Sequence, residues 1–361
     1  MKKDERAEKS KRTIRDLQQL KSLPLPVKTE MTKRRIKEFV EEFGTDGVYI
    51  SFSGGKDSTV LLDISRKLYP NIKAVFVDIP IQYPELKKFV MTFENVDIVK
   101  PKISFAQVCE KYGFPIISKE VANCVSGARK YQQQKAQKSV DSSLYKGSEY
   151  RLRRLNGELT DSKGNYSLFN KKKYNFFLDA PFEISDLCCD EMKKKPIHEY
   201  EKQTGKKPFI ATMASESFIR TRRWLRDGCN AFNAKRPHSN PMSFWTEQDV
   251  LLYIKENNLP ICSVYGEVVT DYESMGQCEN QMSFSYEMVK EIPLLKTTGC
   301  QRTGCVMCGF GCHLEKESRF LRLKETNPKF YNLIHVLKNN GITYAEAIDW
   351  INEQGGFNIR Y

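Results

Sequence analysis

The groups best placed for chemistry lie in one short polar stretch that follows an apolar run. Residues 47–52 (GVYISF) lead directly into Ser53, Gly54, Gly55, Lys56, Asp57 and Ser58. A strand that turns through two glycines into a helix presents backbone N–H groups at the positive end of that helix, where phosphate and sulfate groups bind. The lysine adds a mobile positive charge, and the two serine hydroxyls add hydrogen bonds. The spacing predicts a loop that holds the phosphates of a nucleotide.

This stretch differs from the common nucleotide loop G-x-x-x-x-G-K-[ST]. Ile50 stands where the first glycine of that motif would fall, and Asp57 follows Lys56 in place of Ser or Thr. An ordinary tight turn after a strand is the plain alternative. The order strand, loop, helix favours the phosphate-binding interpretation, and Asp57 would then bind Mg²⁺ if the nucleotide is ATP.

Two segments carry a resemblance to known families. SFSGGKDST resembles the pyrophosphate (PP) loop of the adenine nucleotide alpha-hydrolase superfamily, whose members cleave an adenine nucleotide beyond its alpha phosphate. Residues 241–253 (PMSFWTEQDVLLY) are similar to the element P-L-x-x-W-T-x-x-D-V-x-x-Y of the phosphoadenosine phosphosulfate (PAPS) and adenosine phosphosulfate (APS) reductases. Locally this is a helix start with Thr246 as N-cap and Asp249 as its capping partner. The resemblance to the PAPS reductase family covers about residues 35–315, apart from an insertion.

The resemblance also implies roles for residues outside the loop. Residues 212–220 (TMASESFIR) look like the substrate-sensing turn of the family. Arg220 would make a bidentate contact with a phosphate or sulfate and, with Lys56, stabilise the charge that develops during cleavage, while Ser217 would add a single hydrogen bond. Asp78, which ends the second apolar run, matches a carboxylate near the ribose or the adenine edge. A solvated basic face is the alternative interpretation for the arginines that follow on the same helix, Arg222, Arg223 and Arg226.

Eleven cysteines favour metal ligation or redox chemistry over disulfides if the chain is cytoplasmic. A tandem pair followed by a distant C-x-x-C resembles the [4Fe–4S] ligand set of APS reductases, which implies a cluster bound by Cys188, Cys189, Cys305 and Cys308. Zinc is the alternative metal. A local set is also open, with Cys300 and Cys312 as alternative ligands. Inert, buried thiols are expected at Cys109, Cys124, Cys229, Cys262 and Cys278.

One departure from the family bears on the reaction. Assimilatory reductases carry a catalytic cysteine on a C-terminal tail in the setting E-C-G-x-H, whereas no cysteine follows Cys312 here. Three functions therefore stay open. The first is reduction of PAPS or APS to sulfite with a thioredoxin-like reductant. The second is ATP pyrophosphate cleavage that supports sulfur modification of tRNA or DNA, with a separate sulfur donor. The third is a non-catalytic module that binds nucleotide or nucleic acid.

The elements that must position these groups alternate along the chain. Apolar runs predict strands at 48–52, 72–78, 97–99 and 208–212, and helical periodicity predicts helices at 57–68, 105–112, 220–226 and 246–257. This alternation predicts an α/β fold with a Rossmann-like, doubly wound parallel sheet. The predicted division is a helical arm (1–34), a nucleotide-binding domain (35–275) and a C-terminal Cys-rich helical region (276–361).

A polar, basic stretch at about 126–175 interrupts that pattern. Asn156-Gly157 and Lys163-Gly164-Asn165 predict two hairpin turns in it. With a net charge of +13, the insertion predicts a nucleic-acid partner or a lid, and a solvated excursion is the alternative. No apolar run approaches the roughly 20 residues that cross a bilayer, and the charged N-terminus is unlike a signal peptide. We therefore expect a cytoplasmic enzyme with no membrane partner.

Overall fold

The computed structural model describes residues 12–137, 147–272 and 294–361. The chain forms two compact units, each assembled from separate stretches of sequence. Unit 1 contains the described parts of Met1–Asp78, Tyr83–Val99 and Ile197–Thr303. Unit 2 contains the described parts of Ile79–Gln82, Lys100–Pro196 and Gly304–Tyr361.

The strands are short, and most of them belong to one sheet. In chain order they are β1 (Val48–Ser51), β2 (Ala74–Val77), β3 (Val96–Val99), β4 (Ile116–Ile117), β5 (Lys207–Phe209), β6 (Asn230–Ala231), β7 (His238–Ser239), β8 (Val268–Thr270), β9 (Leu295–Thr297), β10 (Gly309–Phe310), β11 (Lys338–Asn339) and β12 (Ile342–Thr343).

The α-helices alternate with these strands over much of the chain. They are α1 (Ile14–Lys21), α2 (Leu25–Phe43), α3 (Lys56–Leu68), α4 (Pro84–Val90), α5 (Phe105–Tyr112), α6 (Lys119–Ala136), α7 (Glu149–Asn156), α8 (Lys195–Thr204), α9 (Phe218–Asp227), α10 (Glu247–Glu256), α11 (Arg319–Thr326), α12 (Pro328–Tyr331) and α13 (Tyr344–Gly355).

Unit 1 is built on a six-stranded sheet in the order β3-β2-β1-β5-β7-β6. All neighbouring strands pair in parallel except β6, which runs antiparallel to β7 at the edge. Strand β2 is apolar throughout, and Val48, Tyr49 and Ile50 of β1 are buried, as expected for strands covered on both faces. Val48 and Ile50 are fully buried, and they pack with Phe39 of α2 and Val60 of α3 in the main core. The predicted α/β class and mostly parallel sheet are confirmed.

Unit 2 contains a parallel pairing of β4 with β10 and a hairpin of β11 with β12. The Phe114 ring stacks on Tyr344 of α13 with centroids 4.7 Å apart. Asn340 and Gly341, at the tip of the hairpin, both have positive φ values (51° and 84°). Such a turn joins antiparallel strands closely.

The predicted break in regular structure from residue 126 is wrong in part. Helix α6 continues to Ala136, capped by the Ser118 side chain and buried along a face that includes Val121 and Val125. Gly157 adopts the left-handed conformation and ends α7, so the first predicted hairpin is a helix end. The second turn does lie between bridged residues, Thr160 and Tyr166. The helical periodicity of the buried apolar residues of α6 is hard to recognise in the sequence, because long polar side chains occupy the exposed positions between them.

Within the described residues, no helix has both the length and the apolar character that a membrane span requires.

Candidate nucleotide site

The predicted phosphate loop joins β1 to α3 at the carboxyl end of the parallel sheet. Gly54 has a φ of 73°, and a Cβ built on it would lie 2.9 Å from Val90 Cγ2. A side chain is therefore disfavoured both by the left-handed backbone and by the contact with α4. Helix α3 begins at Lys56, so its first N–H groups lie at the end of this turn.

The two loop serines hold the loop together. Ser53 N donates to Ser58 Oγ at 3.2 Å, and Gly55 N donates to Ser53 Oγ at 3.3 Å. Ser58 Oγ in turn donates to Gly55 O at 2.9 Å. The hydroxyls predicted to contact an anion thus also fix the conformation of the turn.

The backbone amides at the start of α3 differ in their partners. Lys56 N donates to the hydroxyl of Tyr265 at 3.3 Å. Among the described residues, the N–H groups of Gly54, Asp57 and Ser58 have no hydrogen-bond acceptor. These three amides lie at the positive end of a helix of 13 residues and remain available to an anion.

The Lys56 side chain is buried, with 4% of its surface exposed, and it is already held in place. Its ammonium group donates to Glu247 Oε1 at 2.7 Å and to the backbone oxygen of Gln301. It also lies 5.3 Å from the centre of the Tyr265 ring. An incoming phosphate would compete with Glu247 for this cation.

Asp57 is a buried carboxylate next to those amides. Its Oδ1 atom is inaccessible and has no hydrogen-bond partner among the described residues. Burial raises the pKa of Asp57, and the positive charges of Lys56, Arg302 and Arg220 offset this only in part. A carboxylate oxygen in this state suits a cation that would enter with the nucleotide.

These groups surround a cavity of about 260 Å³. Its walls come from the loop after β1, from residues 210–213 after β5, and from Glu216, Glu247, Tyr265, Arg302 and Thr303. Strands β1 and β5 are neighbours, and β2 lies on the far side of β1. The crevice at the carboxyl ends of two such strands is where ligands bind in open α/β sheets.

The substrate-sensing turn brings Arg220 near the cavity but not into its lining. Arg220 forms an ion pair with Glu216, which does line the cavity. Burial and the neighbouring charges of Arg302 and Arg223 lower the pKa of Arg220. Ser217 caps α9, since its Oγ accepts from Arg220 N at 3.3 Å. Its hydroxyl is thus used in the local fold.

Asp78 lies apart from these groups. It follows β2, its carboxylate pairs with Lys87 Nζ at 2.7 Å, and it is not among the residues that line the cavity. The structure therefore places it outside the set formed by the loop, Glu216 and Glu247.

Sequence reasoning missed several cavity residues. Glu247 is the first residue of α10 and lies between the capping residues Thr246 and Asp249. Tyr265 hydrogen-bonds Thr303 Oγ1 at 2.8 Å, and burial raises its pKa to about 12. Arg302 and Thr303 lie between Cys300 and Cys305, in a segment whose pattern predicts metal ligands only. The Thr-Glu pair at a helix start was the one local pattern that could have indicated Glu247.

The four thiols predicted to bind a cluster all belong to unit 2. Cys308 N donates to Cys305 O at 3.1 Å, which closes a tight turn, and Arg319 Nη1 donates to Cys308 O at 2.6 Å. Burial raises the pKa of Cys188, and the charges of Cys305 and Cys189 raise it further.

Lys193 lies among these thiols. Burial alone lowers the pKa of Lys193, but the negative charges of Cys305, Cys189 and Cys308 outweigh burial, so the pKa is raised. Of these thiols, that of Cys305 also forms a hydrogen bond with the Lys193 side chain. Even so, no group of three or more His, Cys, Asp or Glu side chains in the described stretches is arranged to hold a metal ion as it stands. Thiols are ligands that iron–sulfur clusters and zinc accept, but the positions of the described side chains do not form a ligand shell.

The alternative ligands divide between the units. Cys312 is buried in unit 2, and burial raises the pKa of its thiol to about 11. Cys300 belongs to unit 1, where its Sγ lies 3.7 Å from the Tyr83 hydroxyl. Of the thiols expected to be inert, those of Cys109, Cys124 and Cys262 are buried and that of Cys229 is half-buried, while Cys278 lies outside the described residues.

Comparison with known proteins identifies the family to which the chain belongs. The phosphoadenosine phosphosulfate reductase domain matches residues 47–138 and 116–309, which together span more than half of the chain. Among solved structures, the chain is similar to phosphoadenylyl-sulfate (PAPS) reductase from Candida auris in a phosphate complex, with 15% identity and a TM-score of 0.35, over 73% of this chain and 97% of that chain. A comparison with curated protein sequences finds no match. The chain belongs to the phosphoadenosine phosphosulfate reductase domain family.

Proposed function

We propose that the chain is an enzyme that binds an adenine nucleotide in the cavity beside residues 53–58 and breaks the bond beyond the alpha phosphate or at the sulfate. The observation that carries this proposal is that the amides of Asp57 and Ser58, two residues that line a cavity at the carboxyl end of β1, have no acceptor among the described residues. Such amides, fixed before the substrate arrives, stabilise the charge that develops on a leaving phosphate or sulfate.

Lys56 and Arg220 supply the mobile positive charge in this proposal. Lys56 Nζ exchanges Glu247 for an oxygen of the nucleotide, and Glu247, with 41% of its side chain exposed, turns to solvent. Arg220 is held by Glu216 at the edge of the cavity and contributes a second charge. Both act by positioning and electrostatics.

The family description makes PAPS or APS the first candidate substrate. Reduction needs a thiolate that attacks the sulfate sulfur and breaks its bond to the nucleotide oxygen, which leaves as adenosine 3′,5′-bisphosphate or AMP. A second thiol then releases sulfite, and the two thiols become a disulfide. No described cavity residue is a cysteine, so the thiols are proposed to come from a thioredoxin-like reductant.

Asp57 favours a second candidate, ATP. A buried carboxylate with an unpartnered oxygen beside phosphate-binding amides fits Mg²⁺, which would neutralise charge on the leaving pyrophosphate. In this reaction an oxygen of tRNA or DNA would attack the alpha phosphorus of ATP and release pyrophosphate, and sulfide-level sulfur from a donor would then replace that oxygen, which would leave as part of AMP. The basic insertion is proposed to help bind that acceptor. Nucleotide binding without turnover is the remaining possibility.

Product analysis tests these candidates. The anaerobic protein is incubated separately with ATP, APS and PAPS, with and without a thioredoxin-like reductant, and the nucleotides are resolved by chromatography. Sulfite with adenosine 3′,5′-bisphosphate or AMP supports the first candidate, and AMP with pyrophosphate supports the second. Binding with no product from any nucleotide contradicts the proposed enzyme.

Matched variants connect turnover to the loop. Lys56→Ala should lower turnover by at least about a hundredfold, as expected for the loss of a charge aimed at the leaving group. Lys67→Ala is the control, because Lys67 lies on the same helix α3 with an exposed side chain paired to Asp63. Equal turnover in both variants would remove the loop from the mechanism.

We also propose that Cys188, Cys189, Cys305 and Cys308 bind a [4Fe–4S] cluster in unit 2, with zinc as the alternative. The support is that the four thiols all belong to unit 2 and that a tight turn, with Cys308 N donating to Cys305 O at 3.1 Å, joins two of them. A double variant, Cys305→Ser with Cys308→Ser, should lose the brown absorbance and the iron of anaerobically purified protein. Cys229→Ser is the control, since Ser243 Oγ already hydrogen-bonds that thiol at 3.2 Å. Zinc in place of iron by elemental analysis would overturn the cluster.

A further inference from the structure

Helix α9 presents a basic face that also exposes large apolar side chains. Phe218 and Ile219, in its first turn, are 72% and 73% exposed. Arg222, Arg223 and Arg226 follow at intervals of three and four residues and are also exposed. Residues with that spacing lie on one side of a helix. We call these five residues the α9 face.

The charge of the α9 face is only partly neutralised. Arg226 pairs with Asp227, its neighbour in the chain, at 2.8 Å. Among the described residues, no ion pair is found for Arg222 or Arg223. The charge of Arg223 contributes to the lowered pKa of Arg220, so the positive charges act on one another. An anionic partner would relieve this repulsion.

Phe218 and Arg222 lie next to each other on this helix. The Arg222 guanidinium carbon lies 5.7 Å from the centre of the Phe218 ring. An exposed aromatic ring beside an arginine is the arrangement on which an unpaired base stacks while the cation meets the adjoining phosphate. A double helix hides its bases from such a contact, and a purely acidic partner would leave Phe218 unused.

The α9 face begins at the nucleotide cavity. Glu216 lines the cavity, Ser217 caps α9, and Phe218 is the next residue. Arg302, which is 66% exposed, also lines the cavity and lies 4.0 Å from Glu216. A strand bound along α9 would therefore approach the proposed site of nucleotide cleavage.

We propose that the α9 face binds single-stranded nucleic acid, with a base stacked on Phe218 and backbone phosphates paired with Arg222 and Arg223, as the acceptor that the enzyme modifies. This inference rests on the proposed function in its ATP form. It adds a binding surface on unit 1 to the contribution proposed for the basic insertion.

Binding of fluorescently labelled oligo-dT and oligo-U, measured by anisotropy at several salt concentrations, tests the proposal. Phe218→Ala should weaken binding about tenfold, as expected for the loss of one stacked base. The double variant Arg222→Ala with Arg223→Ala should reduce the slope of log affinity against log salt by about 1.4, at about 0.7 for each phosphate contact. The control is Arg34→Ala with Lys37→Ala, which removes the same charge from the exposed side of α2.

Three results would overturn the proposal: no binding of either oligonucleotide, equal losses in the control and the α9 double variant, or equally tight binding of a duplex. Lys56→Ala keeps failures of the two proposals apart. That variant should lose nucleotide turnover and keep oligonucleotide affinity, whereas Phe218→Ala should do the reverse. Turnover with no oligonucleotide binding contradicts the acceptor surface alone, and oligonucleotide binding with no turnover contradicts the proposed enzyme alone. Circular dichroism confirms that each variant is folded.

Discussion

Asp57→Asn should make the protein more stable at neutral pH while it impairs the site. The native carboxylate has a buried oxygen with no partner among the described residues, and its pKa is raised because burial outweighs the attraction of Lys56, Arg302 and Arg220. An unsatisfied buried polar group costs about 1–3 kcal/mol. Since the neutral amide avoids the cost of burying a charge, we expect a gain of about 1 kcal/mol in the free energy of unfolding.

The stability difference between Asp57→Asn and the native protein should depend on pH in a definite direction. An acid whose pKa is raised by folding binds more protons in the folded state, so the stability of the protein falls as pH rises from the unfolded pKa through the folded one. The penalty is absent below the ordinary pKa of about 3.9. The advantage of Asp57→Asn should therefore grow as pH rises above the ordinary pKa and level off once pH exceeds the raised pKa of the folded state.

Urea unfolding of both proteins at a series of pH values measures this difference. A variant that is less stable than the native protein at neutral pH, or an advantage that does not change with pH, would refute the reasoning. Repeating the titration with ATP and Mg²⁺ separates stability from function. The native protein should gain stability from the nucleotide with the metal, and Asp57→Asn should gain much less.

Three further predictions follow from the same loop and from the insertion. Gly54→Ala places a Cβ 2.9 Å from Val90 at a residue with a left-handed backbone, so it should cost about 1–3 kcal/mol of unfolding free energy and weaken nucleotide binding. The control is Gly164→Ala, because Gly164 also has a positive φ but has open space around it. Equal losses in the two variants would contradict the contact with α4. Tyr265→Phe removes the hydroxyl that hydrogen-bonds Lys56 N and Thr303 Oγ1. The variant should lose about 1–2 kcal/mol of unfolding free energy, which would appear as a lower melting temperature. An unchanged melting curve would show that this hydroxyl does not stabilise the loop. Lys172 and Lys173 are both exposed in the insertion, which is proposed to help bind the acceptor. The double variant Lys172→Ala with Lys173→Ala should therefore weaken binding of tRNA or DNA. Unchanged affinity would contradict acceptor binding by the insertion.

The amino-acid sequence determined the local parts of the site. The apolar runs at 48–52 and 72–78 placed β1 and β2, and two adjacent glycines before Lys56 placed the turn and the start of α3, because these patterns depend on neighbours in the chain. The capping box of Thr246 and Asp249 is present as predicted, for the same reason. The α/β class followed from the alternation of such elements.

Tertiary structure decided which distant residues share the cavity. Glu247, Tyr265 and Arg302 reach the loop because β5 pairs with β1 and the segments that follow fold back over the carboxyl end of the sheet. No local pattern encodes this, since the pairing depends on burial of whole strands and helices in one core. The same holds for Asp78, whose position at a strand end predicted a ligand contact but whose carboxylate is paired with Lys87. The chemical groups of the loop and its local conformation are determined by short stretches of sequence. Which distant residues lie close to the loop is determined by the packing of the whole fold.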